Sequence, residues 1–90
     1  MPEIIVPIKM LFEAANAFEK ADVETAKIHA ELQKKMQSLE ISWSDSSKQR
    51  FSRYYRELDQ QLEVSKEIMK TLAREMQAIA ERYAEIEKRL

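Results

Sequence analysis

There is no glycine anywhere in this chain, and there are only two prolines. β-Hairpin turns and most sharp loops draw on residues that tolerate positive φ, so a glycine-free sequence has few places to reverse direction. Ala, Glu, Lys, Gln, Met and Leu fill the positions between, and the chain is expected to form long, uninterrupted helices. The same absence excludes a glycine-built phosphate cradle. Zero cysteines exclude disulfides, thiolate catalysis and Cys-ligated zinc. Ninety residues leave room for one small domain. Fifteen basic and sixteen acidic residues leave a net charge of −1, so no overall field draws the chain onto nucleic acid or an anionic membrane. The N-terminus lacks the basic, apolar, small-residue progression of a cleaved secretory signal. No run approaches the ~18 apolar residues of a membrane span.

Residues 1–6 read as a short extended lead through Ile4, Ile5 and Val6, because the residue before a proline is pushed out of helical geometry. Pro7 suits the first helical position, where its missing N–H costs nothing. From there Leu11, Phe18, Thr25, Leu32 and Leu39 form a central row. Ala14, Ala21 and Ile28 flank it on one side, and Ile8, Ala15, Asp22, His29 and Met36 on the other. That stripe is wider than one partner helix requires. The pattern breaks at Ile41-Ser42-Trp43-Ser44-Asp45-Ser46-Ser47, whose side chains compete for backbone hydrogen bonds and favour turns and helix starts. Ser44 or Asp45 is the expected N-cap of a second helix. The predicted bounds are a helix over about 7–40, a turn over about 41–45 and a helix over about 46–88.

The second helix carries a regular seam: Tyr55, Leu58, Leu62, Ser65, Met69, Leu72, Met76, Ile79, Tyr83, Ile86 and Leu90 alternate steps of three and four. An all-α antiparallel hairpin follows. Two helices alone bury too little apolar surface to offset the ordering of ninety residues, so two hairpins are expected to dimerise into a four-helix bundle. A turn near Trp43 sets Leu58 near Ile28, Ser65 near Ala21 and Asp22, and Met76 near Met10 and Leu11. The small residues Ala14 to Ala21 with Ser65 form a waist that another helix could approach closely. Beyond Ile79 the second helix outruns Pro7, which leaves Tyr83, Ile86 and Leu90 to pack on the lead or on another subunit. The residues expected to line the hairpin and dimer interfaces are Leu11, Ala14, Phe18, Ala21, Ile28, Leu32, Phe51, Leu58, Leu62, Met69, Leu72, Met76 and Ile79.

Catalysis has little to stand on, and no enzyme, cofactor or metal site is expected. His29 is the only histidine, with no Glu three residues before it as helical di-metal sites need, so it reads as an interface or helix-edge residue. The serines of the turn lack a nearby base and a glycine elbow. Lys66 to Lys70 and Glu81 to Glu85 read as surface charge rows, and most glutamates as solvated surface. Lys48, Arg50, Arg53 and Arg56 interleave with Phe51, Tyr54 and Tyr55, but four charges make a weak nucleic-acid footprint, and no nucleic-acid partner is expected. Methionines 36, 69 and 76 are packing residues of adaptable shape. Trp43 is either an anchor closing the hairpin end or a partly exposed aromatic used for recognition.

Helix, Trp-x-x turn and helix in about ninety residues resembles the small WXG-motif helical-hairpin proteins of type VII (ESX) secretion systems, and the resemblance covers the whole chain. Trp43-Ser44-Asp45 occupies the motif position, and Phe51 matches an aromatic that family members carry early in the second helix. Tyr83-Ala84-Glu85-Ile86-Glu87 is similar to the family's Tyr-x-x-x-Asp/Glu export signal. Asp45 stands where the family usually has Gly. If that glycine supplies a positive-φ turn, aspartate is among the few residues that tolerate it.

The resemblance implies a substrate of the membrane secretion ATPase, made in a bacterial cytoplasm and exported without a cleaved signal peptide. It implies a folded dimer, of two copies or with a paralogous hairpin. Its composite signal would come from the Trp43, Ser44 and Asp45 turn of one subunit and from Tyr83 and Glu87 of the other. Two other readings predict different behaviour. A cytosolic chaperone or targeting adaptor would escort a larger toxin with a similar helical domain. A plain structural coiled coil would tolerate Trp43→Ala and show no secretion phenotype.

Overall fold

Helix-favouring residues and the three-and-four spacing produce two helices, α1 over Ile8–Ser42 and α2 over Ser47–Lys88. The computed structural model of the chain describes residues 6–90, so most of the expected extended lead, including Ile4 and Ile5, lies outside the described residues. Among the described residues there is no strand. The helices pack as an extended hairpin 70 × 21 × 13 Å.

Pro7 stands just before α1 and not within it, and its carbonyl accepts the Leu11 N–H at 3.0 Å. At the other end α1 runs on through Ile41 and Ser42, which the composition of the turn assigns to the loop. Serine is tolerated there because its hydroxyl reaches back along the helix: Ser38 Oγ donates to the Lys34 carbonyl at 3.3 Å and Ser42 Oγ to the Ser38 carbonyl at 3.4 Å. The Trp43 N–H closes the last turn on the Leu39 carbonyl at 2.9 Å.

His29 lies against Asp59, so residue 44−n sits opposite 44+n, one position from a register centred on Trp43. That register sets Ile8 opposite Ala80, which is fully buried, one residue beyond the expected limit at Ile79. Glu81–Lys88 then project past the first residue of α1.

The inner faces consist of two rows each. On α1 they are Leu11, Phe18, Thr25 and Leu32, with Ile8, Ala15, Asp22, His29 and Met36. On α2 they are Tyr55, Leu62, Met69 and Met76, with Asp59, Lys66, Ala73 and Ala80. The expected apolar seam of α2 is therefore divided. Its Tyr55 row faces α1, whereas Leu58, Ser65, Leu72, Ile79 and Ile86 are exposed on the single hairpin. One helix's apolar stripe spans two neighbouring faces, and the second inner row is polar or small, which hides it from a count of apolar residues. Lys66, expected in a surface charge row, is thus a half-buried seam residue, and Asp59 is another.

Candidate interaction site: the Trp43 turn, the outer row of the second helix and its tail

The turn is built by side chains substituting for glycine. The Asp45 carboxylate accepts the Ser47 N–H at 2.6 Å and also the Ser47 hydroxyl, which ties down the open first turn of α2. Ser46 is the N-cap by position and makes no side-chain cap; Asp45 performs that role from one residue earlier, and Ser44 does not. The Ser47 hydroxyl, followed by the Ser47 amide, holds the Asp45 carboxyl below its ordinary value. No residue among those described has positive φ, so Asp45 in the glycine position carries no backbone strain. Lys48 Nζ donates to the Glu40 carbonyl at 2.9 Å, placing a cation on the C-terminal end of α1.

Trp43 is half-buried, its ring 5.3 Å from that of Phe51 at an interplanar angle of 56°. That tilted contact is a favourable aromatic geometry. Around it the tip is apolar and open: Ile41 is 89% exposed, and Leu39, Phe51 and Tyr54 are also exposed. From Phe51 an outer row continues at intervals of seven through Leu58, Ser65, Leu72, Ile79 and Ile86. Helical spacing puts Ala14, Ala21 and Ile28 on the corresponding flank of α1; the two alanines are half-buried and Ile28 is exposed. Leu11, Phe18, Leu32, Leu62, Met69 and Met76 lie between the helices instead. Tyr83 and Glu87, one helical turn apart on the projecting end of α2, are both exposed.

A third cluster lies between the helices. His29 is 2% exposed and is the one large side chain fully buried among the described residues. Its Nε2 hydrogen-bonds to Asp59 Oδ1, and its Nδ1 lies 3.3 Å from Glu63 Oε1. Gln33 Nε2 donates to the same Asp59 oxygen at 3.3 Å, and Lys66 Nζ to Glu63 at 2.9 Å. Asp22 Oδ1 and the Tyr55 hydroxyl are buried without a partner. Burial, with the nearby Asp59 charge, pushes the Tyr55 hydroxyl up. Asp59 and Glu63 do not register in a search for apolar periodicity; their signal is the spacing of four between two acids opposite the only histidine. Among the described residues no group of three His, Cys, Asp or Glu side chains is placed to hold a metal ion.

The hydrogen bond from His29, then that from Gln33, holds Asp59 below its ordinary value of 3.8, against the opposing effect of burial. Glu63 is held below its ordinary 4.5, first by Lys66 and then by the His29 charge. Depressed carboxyl groups stabilise the folded state fully above the ordinary range, and that contribution fades as pH falls through the lowered folded values. Exposures of 31% for Asp59 and 57% for Glu63 screen the effect. The melting temperature is expected to drop from about pH 5 to about pH 3, and Asp59→Asn to flatten the drop. An equal slope in the variant would place the acid sensitivity elsewhere.

Among the described residues no helix is long and apolar enough to cross a membrane. No curated protein and no solved structure matches the chain. The family model WXG100, "Proteins of 100 residues with WXG", matches residues 3–88. The half-buried Trp43 in the turn between two long helices supplies the tryptophan of that motif, with Asp45 in the glycine's place, and the match spans nearly the whole chain: it belongs to the WXG100 family of small helical-hairpin proteins of type VII secretion.

Proposed function

We propose that this protein is a non-enzymatic substrate or co-secreted partner of a type VII secretion system, exported as a folded helical dimer. The outer row of α2 carries the reading: Leu58, Leu72, Ile79 and Ile86 are exposed, although residues of this kind at heptad spacing stabilise a fold by leaving water. A second hairpin, either another copy or a paralogue, covers that row and completes a four-helix bundle. The waist at Ala14, Ala21 and Ser65 lets the partner's backbone come close.

In an antiparallel pair the projecting end of α2 reaches the partner's turn. Trp43, Ser44 and Asp45 of one subunit then combine with Tyr83 and Glu87 of the other into a composite signal read by the membrane secretion ATPase. Support for this comes from the exposure of Tyr83 and Glu87 and from the open apolar tip around Trp43.

The same outer row suits a helical domain of a larger secreted toxin, for which this chain would act as a cytosolic adaptor. One comparison separates the two readings: the amount of protein in culture supernatant relative to cells, in a parent strain and in one lacking the ATPase, with a cytosolic marker for lysis. Export that disappears with the ATPase is the expected result. Retention in both strains would overturn the substrate reading and leave the adaptor.

A further inference from the structure

Charge is unevenly placed along the rod. Residues 34–56 hold six basic residues, Lys34, Lys35, Lys48, Arg50, Arg53 and Arg56, and two acidic ones, Glu40 and Asp45, a net charge of +4. The whole chain carries −1, so the rest of it sums to −5. With residue 44−n opposite 44+n, that segment is the turn end of the hairpin, and at ~1.5 Å per residue its charges lie within roughly 20 Å of the apex. Toward the other end Lys66 pairs with Glu63 and Arg89 with Glu85. Lys34, Lys35, Arg50, Arg53 and Arg56 are all exposed, and none has an ion-pair partner among the described residues. Steps of three turn Arg50, Arg53 and Arg56 by ~60° each, which fans them around the outside of α2. Inside this basic collar the surface is apolar: Leu39, Ile41 and Phe51 are exposed, and a shallow groove lined by Glu40, Ile41, Trp43, Asp45, Lys48 and Gln49 runs between the helix ends. A second hairpin on the outer row covers only part of it. Leu39 shares the flank of Ile28, eleven residues earlier, whereas Ile41, two residues on, points to the opposite side of α1 and stays open.

We propose that the tip docks on an acidic protein surface: an apolar depression of the secretion ATPase, ringed by carboxylates, that receives Ile41 and Trp43 and meets Lys34, Lys35, Arg50, Arg53 and Arg56 at its rim. This rests on the export reading and adds to it the chemistry of the reader. An apolar centre inside a charged rim is the layout of a protein contact, in which the rim charges choose the partner and speed the encounter. An anionic bilayer fits less well, because it would meet the apex first, where Ser44, Asp45 and Ser46 present hydroxyls and a carboxylate and no apolar side chain. A nucleic-acid backbone matches the charge but offers no counterpart to the open Ile41. The acidic remainder of the hairpin serves the same choice, since it is repelled by the surface that attracts the tip and so orients the rod end-on.

Binding of the full chain to the whole ATPase, held in nanodiscs of uncharged phosphatidylcholine, tests the proposal. Wild-type affinity is expected to fall roughly tenfold between about 50 mM and about 500 mM sodium chloride as the rim contacts are screened. Arg50→Glu, Arg53→Glu and Arg56→Glu together turn the tip from positive to negative and should weaken binding at the lower salt by roughly thirtyfold or more. The same reversal at the exposed Lys9, Lys20 and Lys27 on α1 changes net charge equally, far from the tip, and should stay within about twofold of wild type. Salt-independent wild-type binding would overturn the proposal, as would equal losses in the two triple variants. So would capture of the tip by phosphatidylglycerol vesicles together with unchanged ATPase binding by the arginine variant. Wild type that does not bind the ATPase at any salt overturns this inference and the export reading together, whereas normal binding by the arginine variant overturns this inference alone. If that variant does not fold, the salt dependence of the wild type decides.

Discussion

Replacing Leu72 and Ile79 together by glutamate is expected to convert the proposed dimer to monomers. Both side chains lie on the outer row of α2, 37% and 39% exposed on a single hairpin, so a glutamate at either place can keep its carboxylate in water in the monomer. In the proposed dimer, each glutamate would be enclosed among the apolar residues of the outer row. Burying an unpaired carboxylate costs several kcal/mol, and every ~1.4 kcal/mol is tenfold in affinity, so the dissociation constant should rise by roughly a thousandfold or more. Sedimentation equilibrium reads the mass, and circular dichroism at matched concentration reads the helicity. A variant that remains dimeric would move the interface off this row. A variant that loses helix along with the dimer would mean that the hairpin draws its stability from its partner, as the small apolar content of its interior suggests.

The two helices are legible in the sequence because every local signal agrees: no glycine interrupts them, and apolar residues recur at three and four. What those residues face is less legible. Leu58 and Leu62 are equivalent in composition and adjacent along the same stripe, yet Leu62 packs toward α1 and Leu58 is exposed. A single helix's pattern records how wide its buried face is, not how that face is shared between neighbours. The second inner row of α2 escapes notice for a different reason. Asp59 and Lys66 are charged, and Ala73 and Ala80 add little apolar weight, so four seam positions resemble surface. They become visible only once the register brings Asp59 to His29. The turn is an intermediate case. The serine and aspartate cluster marks where the helices part, but the capping oxygen comes from Asp45, one residue before the positional N-cap, a distinction that composition does not contain.

Export should be restored by mixing two defective chains. Trp43→Ala removes the aromatic that packs on Phe51 at the turn, and Tyr83→Ala removes the exposed ring on the projecting end of α2. Loss of an aromatic at a recognition hot spot costs about 2 kcal/mol or more, so each variant alone should be exported roughly thirtyfold less than wild type. In a two-fold dimer with a composite signal there are two signals, each joining the turn of one subunit to the tail of the other. A dimer of one Trp43→Ala subunit and one Tyr83→Ala subunit has one signal with both defects and one with none, because the Tyr83→Ala subunit supplies its tryptophan to the intact tail of its partner. Co-expression of the two variants, distinguished by small tags, should therefore return both to the supernatant together, with the mixed dimer as the exported species. Two signals confined within single subunits predict the opposite, since each chain would carry its own defect out of reach of its partner. Equal failure of the mixture and of the separate variants, with dimer formation intact, would sink the composite signal while leaving the bundle itself in place.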